Sequence, residues 1–366
     1  MAHKTFIFAI AIVAAIFFGF RQANACTGIT LEAGDGSHIL ARTIEWGGSD
    51  LHSNYVIVPR GYTQSSILPG DTGSIKTGMS FSAQYGYVGL AVEQKEFVAE
   101  GLNEVGLSAG LFYFPNYGKY EQFNPDLKNS TISDLQLVSY ILGTCKTIDD
   151  VKHAITQEVH IVAIDPRAST VHWRFADVQG HQIVLEIIDG TPRFYDNKLG
   201  VLTNSPDFNW QMTNLNNYVN LHPGSSGSRS IGSLQMSPFG AGSGFLGIPG
   251  DVTPPSRFIR AAFYQTSSPK LQTAWQTVKQ CFQILNNFDI PIGIEFEQGQ
   301  IPADIPSATQ WTSATDITNK MIYYRTMNNS TIRCIDLKEI NFNTVKYHAE
   351  SLDKINDQPL EYITID

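Results

Sequence analysis

The sequence predicts a layered α+β chain rather than a regular alternation of strands and crossover helices. Three observations carry this. Strand-like runs come in blocks broken by Gly, Asn and Asp turns, helical patterns come in blocks of their own, and no internal repeat divides the chain. At 42% apolar and 11% aromatic residues, 366 residues can bury a large core.

The elements follow in order. Residues 6–20 are an unbroken apolar stretch behind Lys4, fifteen residues long. That is short for a bilayer span, which needs about 20, and fits the core of a signal peptide. Ala23-Asn24-Ala25 then gives a small-x-small cleavage signature directly before Cys26. Residues 1–25 are therefore expected to be a leader and 26–366 one exported domain. "CTGITLEAGDGSHILARTIEW" reads as a hairpin turning at Gly34-Asp35-Gly36, and "NYVIVPRG" as the next strand. Short strands continue through "GLNEVGLSAGLFYF". Ser133 is placed to cap "DLQLVSYIL", and Thr147 with Asp150 to start "IDDVKHAI" with a capping box. Strands return in "TVHWRFADVQGHQIVLEIIDGTPRFY". "FNWQMTNLNNY" and "SPKLQTAWQTVKQCFQILNNF" read as helices, and "TQWTSATDITNKMIYYRTMNNSTIRCIDL" as the final strands. Residues 220–256, rich in Gly, Ser and Pro, are a long loop of the kind that usually serves function.

Charge and cysteine usage narrow the classes. Without the leader the chain carries 23 basic and 34 acidic side chains, a net charge of −11, which argues against nucleic acid or an anionic membrane as partner. No later stretch is apolar and long enough for a membrane span, and a homo-oligomer is allowed but not specified. If Cys26 has a separate task, Cys145, Cys281 and Cys334 remain, an odd set that makes no disulfide framework and reads as buried small hydrophobes. One bridge among them is left open.

Two pattern matches lack their structural context. Gly242, Gly244 and Gly247 match a dinucleotide fingerprint but follow a Ser/Gly-rich loop and precede Ile248-Pro249-Gly250. Gly106-Leu107-Ser108-Ala109-Gly110 matches a serine nucleophile elbow, yet Ser108 stands in an alternating strand pattern. There is no HExxH and no CxxC, so no metal or other cofactor is expected. Sequons at Asn129, Asn328 and Asn329 carry no chemistry.

Cys26 has three readings. It could be a buried core cysteine, or the attachment point of a lipid-anchored, non-catalytic surface protein. Ala23, where lipidation wants a branched aliphatic residue, disfavours the second. In the third, cleavage after Ala25 uncovers a thiol and a free α-amine on one residue. An α-amine titrates near pH 8, so near neutrality it can act as general base to its own thiol. Such a site needs a cation beside the thiol and donors aimed at an oxyanion.

"CTGIT", with Arg42 sixteen residues on in "ARTIEW", resembles the opening of the choloylglycine hydrolase family, N-terminal-nucleophile (Ntn) amidases comprising bile salt hydrolases and penicillin V acylases. The resemblance continues in order through "NYVIVPRG", "GLNEVGLSAGLFYFP", "VLTNSPDFNWQMTNLNNY", "GAGSGFLGIPGDVTPPSRF" and "TQWTSATDITNKMIYYRT". It implies a four-layer αββα sandwich of two antiparallel sheets between helices. It also implies Cys26 as nucleophile, Arg42 as the cation beside it, Asn204 as a side-chain oxyanion donor and Arg257 as a second active-site arginine. Read without the resemblance, Asn204 is a turn residue, and Arg257 a solvated side chain in a helix capped by Ser256.

Two positions depart from the family pattern. Glu45 stands where an aspartate usually holds the α-amine. Phe112, followed by Tyr113, stands after "AGL", where bile salt hydrolases commonly have Asn and penicillin V acylases Tyr. The Phe112 backbone N–H is the expected second oxyanion donor. Trp46, Phe112, Tyr113, Phe114, Phe245 and Leu246 would make an apolar mouth for a small-molecule amide with a bulky apolar acyl group. Conjugated bile salts are the first expectation, with penicillin V, an acyl-homoserine lactone or a lipid amide as alternatives.

Overall fold

The computed structural model describes residues 24–69, 75–165, 169–297 and 299–365, so the expected leader lies outside the described residues up to position 23. The first hairpin forms where Gly36, with φ of 85°, allows the turn. Strands β1 (Asn24–Glu32) and β2 (His38–Trp46) pair antiparallel, with Cys26 opposite Ile44 and Gly28 opposite Arg42. β1 thus begins ahead of Cys26, with Ala25 opposite Glu45.

A second sheet is laid down as a meander. Strands β3 (Asn54–Val58), β4 (Tyr87–Ala91), β5 (Val98–Asn103), β6 (Ser108–Tyr113), β7 (Val171–Ala176), β8 (Gln182–Ile188) and β9 (Thr191–Asp196) lie side by side in chain order, all antiparallel. β4, β5 and β7 are buried at every position, so apolar runs replace the alternation of a half-exposed strand. The chain then returns to the first sheet. β10 (Thr309–Asp316) pairs with β2, and β11 (Met321–Thr326) and β12 (Asn329–Asp336) extend it outward. β13 (His348–Ser351) closes the edge of the second sheet on β3.

Helices cover both outer faces. α1 (Leu137–Thr144) packs on β5 and β6, and α2 (Ile148–His153) on β7. The Thr147/Asp150 capping box forms as expected. Ser133, by contrast, does not cap: its hydroxyl donates to Gln136 Oε1 at 2.9 Å, residues 134–136 make a 3-10 turn, and the α-helix starts only at Leu137. α3 (Phe208–Asn214) leads into the long loop, which holds only the small hairpin Arg229–Ile231/Leu234–Met236 and a 3-10 turn, Ser243–Phe245. α4 (Pro254–Ser267) and α5 (Ala274–Leu285) cover the first sheet, the latter with its own capping box of Thr273 and Gln276. The order is helices, five-stranded sheet, eight-stranded sheet, helices. All four cysteines are free. Cys145 and Cys281 are buried as expected, but Cys334 is exposed, because β12 is an outer strand paired on one side only.

Candidate active site

Cys26 points between the two sheets, and its side chain is buried. The same strand face of β2 carries Arg42, whose Nη2 lies 2.9 Å from the Cys26 sulfur. The guanidinium is held from every side: Nη1 donates to the carbonyls of Leu111 at 2.5 Å and Ala99 at 3.2 Å, and Nε to Thr43 at 3.2 Å. Its flat face lies 4.1 Å from the Phe112 ring centre. Burial pushes the Cys26 thiol up; Arg42 is the strongest opposing influence, Glu45 adds to the rise, and the Tyr113 N–H and Arg257 pull it down.

The opposite face of the hairpin meets α4. Thr253, not Ser256, is the N-cap, with Pro254 in the first turn. This brings Arg257 inward rather than into solvent; it is fully buried. Its Nη1 donates to the Cys26 carbonyl at 2.6 Å and to the Thr27 hydroxyl at 2.8 Å, and its Nη2 to Asn204 Oδ1 at 2.7 Å. That contact fixes which way the Asn204 amide points, since only its oxygen can accept from a guanidinium. Asn204 Oδ1 also accepts the Cys26 N–H at 2.8 Å, and Nδ2 donates to the Tyr113 carbonyl at 2.7 Å. The loop holding Asn204 is stitched to β1 by reciprocal Gly28 and Leu202 backbone bonds of 2.7 and 3.1 Å. Asn204 is therefore no idle turn residue.

Glu45 faces α4 beside Ala25 and is 2% exposed. Neither carboxylate oxygen completes a hydrogen bond among the described residues. Burial raises its pKa to about 7 against the pull of Arg257, Thr43 and Arg42, with Glu295 adding to the rise. Glu295, which sequence reasoning missed, stands in the segment after α5, and its Oε2 is also buried without a hydrogen bond. No motif marked it; only the fold brings it under the influence of Arg257.

The backbone N–H that faces Cys26 is that of Tyr113, not of Phe112 as expected. Phe114 N–H donates to the Thr170 carbonyl on the β7 side at 2.8 Å, and Phe112, two residues earlier, faces the same way. Leu111 O and Tyr113 O point to the other side, toward Arg42 and Asn204, and the Tyr113 N–H reaches the Cys26 thiol. The expected mouth is also redrawn. Trp46 and Tyr113 meet edge to face at 6.5 Å, whereas Phe112 and Phe114 are fully buried against His172, with Phe114 stacked on its ring at 4.3 Å. Phe112 packs against the guanidinium groups of Arg42 and Arg174, and Phe114 against the His172 ring of β7. Phe245 packs on Phe263 and Tyr264 of α4, and Leu246 is 83% exposed. Ser108 lies inside β6 and is buried, so the serine-elbow match has no elbow. Among the described residues no group of His, Cys, Asp or Glu could hold a metal, and no helix is long and apolar enough to cross a membrane.

Two packed antiparallel sheets between helical layers, with the first strand delivering its cysteine to the sheet interface, define the αββα sandwich of N-terminal-nucleophile hydrolases. The chain belongs to the choloylglycine hydrolase family of linear amide C–N hydrolases, which it matches over residues 26–350. It is 29% identical to a bile salt hydrolase/transferase of Clostridium perfringens over 344 residues, covering 90% of this chain and 100% of that one. A bile salt hydrolase/transferase of Lactiplantibacillus plantarum is 32% identical over 269 residues, 72% of this chain and 80% of the relative. The crystal structure of a conjugated bile acid hydrolase variant from Clostridium perfringens superposes with a TM-score of 0.77 at 27% identity, over 93% of this chain and all of that one. The protein is thus an enzyme that hydrolyses linear amides.

Proposed function

We propose that this hydrolase is exported, is cleaved after Ala25, and uses Cys26 as an N-terminal nucleophile on conjugated bile salts. The observation that carries the reading is the convergence on one residue: Arg42 on its sulfur at 2.9 Å, Asn204 on its nitrogen at 2.8 Å, and close by a buried Glu45 carboxylate that completes no hydrogen bond among the described residues. While Ala25 is attached, that nitrogen is an amide and cannot act as a base. Cleavage turns it into an amine. Asn204 Oδ1 already accepts from it, and Glu45 supplies the counter-charge when it is protonated.

The steps use groups already in position. The Cys26 amine takes the thiol proton, and the thiolate beside Arg42 attacks the amide carbonyl. The oxyanion is held by the Tyr113 N–H and by the Asn204 Nδ2 hydrogen not given to the Tyr113 carbonyl. The amine then protonates the departing nitrogen, and water releases the acyl group from the thioester. A second reading, penicillin V acylase activity, is favoured by the site-facing place of Tyr113, since tyrosine at this position resembles the penicillin V branch.

Exchanging Cys26 for alanine tests the reading. The Cys26→Ala protein should fold and show no amide turnover, and its normal turnover would return the chemistry to another residue. Mass spectrometry of the N-terminus should find a free, unmodified Cys26, whereas a diacylglyceryl-cysteine would exclude catalysis by this residue.

A further inference from the structure

Behind Arg42, on the side away from Cys26, the sheet interface holds a second arginine with one carboxylate between the two. Glu100 on β5, Gly110 on β6 and Arg174 on β7 form one row across the sheet. Glu100 Oε2 lies 3.6 Å from Arg42 Nη1, and Oε1 lies 3.6 Å from Arg174 Nη2. All three side chains are at most 1% exposed. Glycines make the space: a Cβ at Gly110 would strike the Glu100 carboxylate, and one at Gly28 would come within 2.9 Å of Arg174 Nη1. The Phe112 ring lies between the guanidinium groups, 4.1 Å from one and 5.4 Å from the other. Neither ion pair closes to a hydrogen bond. Glu100 Oε2 and Arg174 Nε and Nη2 have no hydrogen-bond partner among the described residues, and Arg174 is anchored by Nη1 on the Ile29 carbonyl at 3.2 Å.

Burying two arginines around one glutamate is a poor way to stabilise a fold, since well-packed apolar side chains of similar volume often do as well or better. The row does have an electrical consequence. A carboxylate shared at equal distance between two cations neutralises neither, and the net positive charge left over adjoins the sulfur through Arg42. We propose that Glu100 is a positioning residue that sets how much of the Arg42 charge reaches the Cys26 sulfur, and that Arg174 keeps Glu100 from being spent on Arg42 alone. This rests on reading Cys26 as the nucleophile.

The other groups acting on the sulfur are Glu45 from β2, Arg257 from α4 and the Tyr113 N–H from β6; Asn204 meets the Cys26 nitrogen, Cys281 of α5 lies near Arg174 and Glu295 near Arg257. None of them changes in the variants that test the proposal. The pH midpoint of Cys26 alkylation by iodoacetamide, followed on the peptide that contains it, is the readout. Glu100→Gln should lower the midpoint by about one pH unit, because Arg42 loses its counter-charge. Arg174→Met should raise it by about as much, because Glu100 then turns wholly to Arg42. Arg174→Lys, which keeps the charge, should stay close to the parent. A purely structural row would move both substitutions the same way or not at all, and either result in folded protein overturns the proposal. If Glu100→Gln and Arg174→Met fail to fold, Glu100→Asp decides: its carboxylate retreats from Arg42, so the midpoint must fall, and an unchanged midpoint overturns the proposal. Turnover by Cys26→Ala would sink the nucleophile reading whatever the titration shows. A dead Cys26→Ala protein with shifts that do not oppose one another would sink only the role of Glu100.

Discussion

If the chain is cleaved before Cys26 as proposed, Glu45 should have opposite effects before and after cleavage, and the sign can be measured. In the chain that keeps Ala25 its carboxyl has no hydrogen bond among the described residues and a pKa of about 7, against an ordinary 4.5. Between those values the unfolded chain binds fewer protons than the folded one, so stability falls as pH rises through this window. The full cost, about 3 kcal/mol for such a shift, applies above pH 7 and vanishes below 4.5. Glu45→Gln in the uncleaved chain should therefore raise the urea midpoint at pH 8 and leave it nearly unchanged at pH 4. In a chain that begins at Cys26 the proposed α-ammonium would give the carboxylate a partner. There the same substitution should destabilise the protein and lower turnover, while Glu45→Asp tests whether the longer side chain is a compromise. Stabilisation by Glu45→Gln in both forms would mean that the carboxylate does not hold the amine.

At the level of elements, the first hairpin is the decisive one. β1 runs without a break through Asn24, Ala25 and Cys26, and Ala25 is buried against Ile290 and Ala308. Asn24 and Ala25 are therefore paired into the first sheet, opposite Trp46 and Glu45. A chain locked against cleavage at this junction should fold and bind Arg42 to its sulfur as seen here, yet show no turnover, because an amide nitrogen is not basic. Full activity of such a chain, with the intact N-terminus verified by mass spectrometry, would contradict an N-terminal base. α4 plays the complementary part. Its first turn reaches Cys26, Thr27 and Asn204 through the single side chain of Arg257.

Substrate choice belongs to the whole molecule, because the residues proposed for the mouth come from distant segments: Trp46 from β2, Tyr113 from β6, and the long loop before α4. Each well-buried apolar side chain in such a pocket is worth roughly 1.5 to 3 kcal/mol, so acyl shape should outweigh the identity of the departing amine. Assayed side by side, glycocholate and taurocholate should be cleaved at comparable rates, with penicillin V next and a long-chain acyl-homoserine lactone slower. Cleavage of penicillin V alone would overturn the bile salt reading and leave the mechanism standing. It would also give the site-facing Tyr113, rather than the loop "GAGSGFLGIPGD", the larger say in specificity.

By itself the sequence determined the strand and helix blocks, the opening hairpin and the Thr147 capping box, and its resemblance to the family singled out Cys26, Arg42, Asn204 and Arg257. Each of these rests on local chemistry or on a motif short enough to survive as a string. What the string could not hold was direction. Phe112 and Tyr113 are neighbours, and only pairing of β6 with β7 decides that the first N–H turns away from Cys26 and the second toward it. Arg257 reads as a solvated helix residue until the helix is docked on β1, where packing makes burial of its charge tolerable by supplying three acceptors. The row of Glu100, Gly110 and Arg174 spans residues up to 74 apart and exists only across paired strands. Tertiary structure decided these points because hydrogen-bond direction and buried charge depend on what lies opposite, and what lies opposite is not adjacent in the chain.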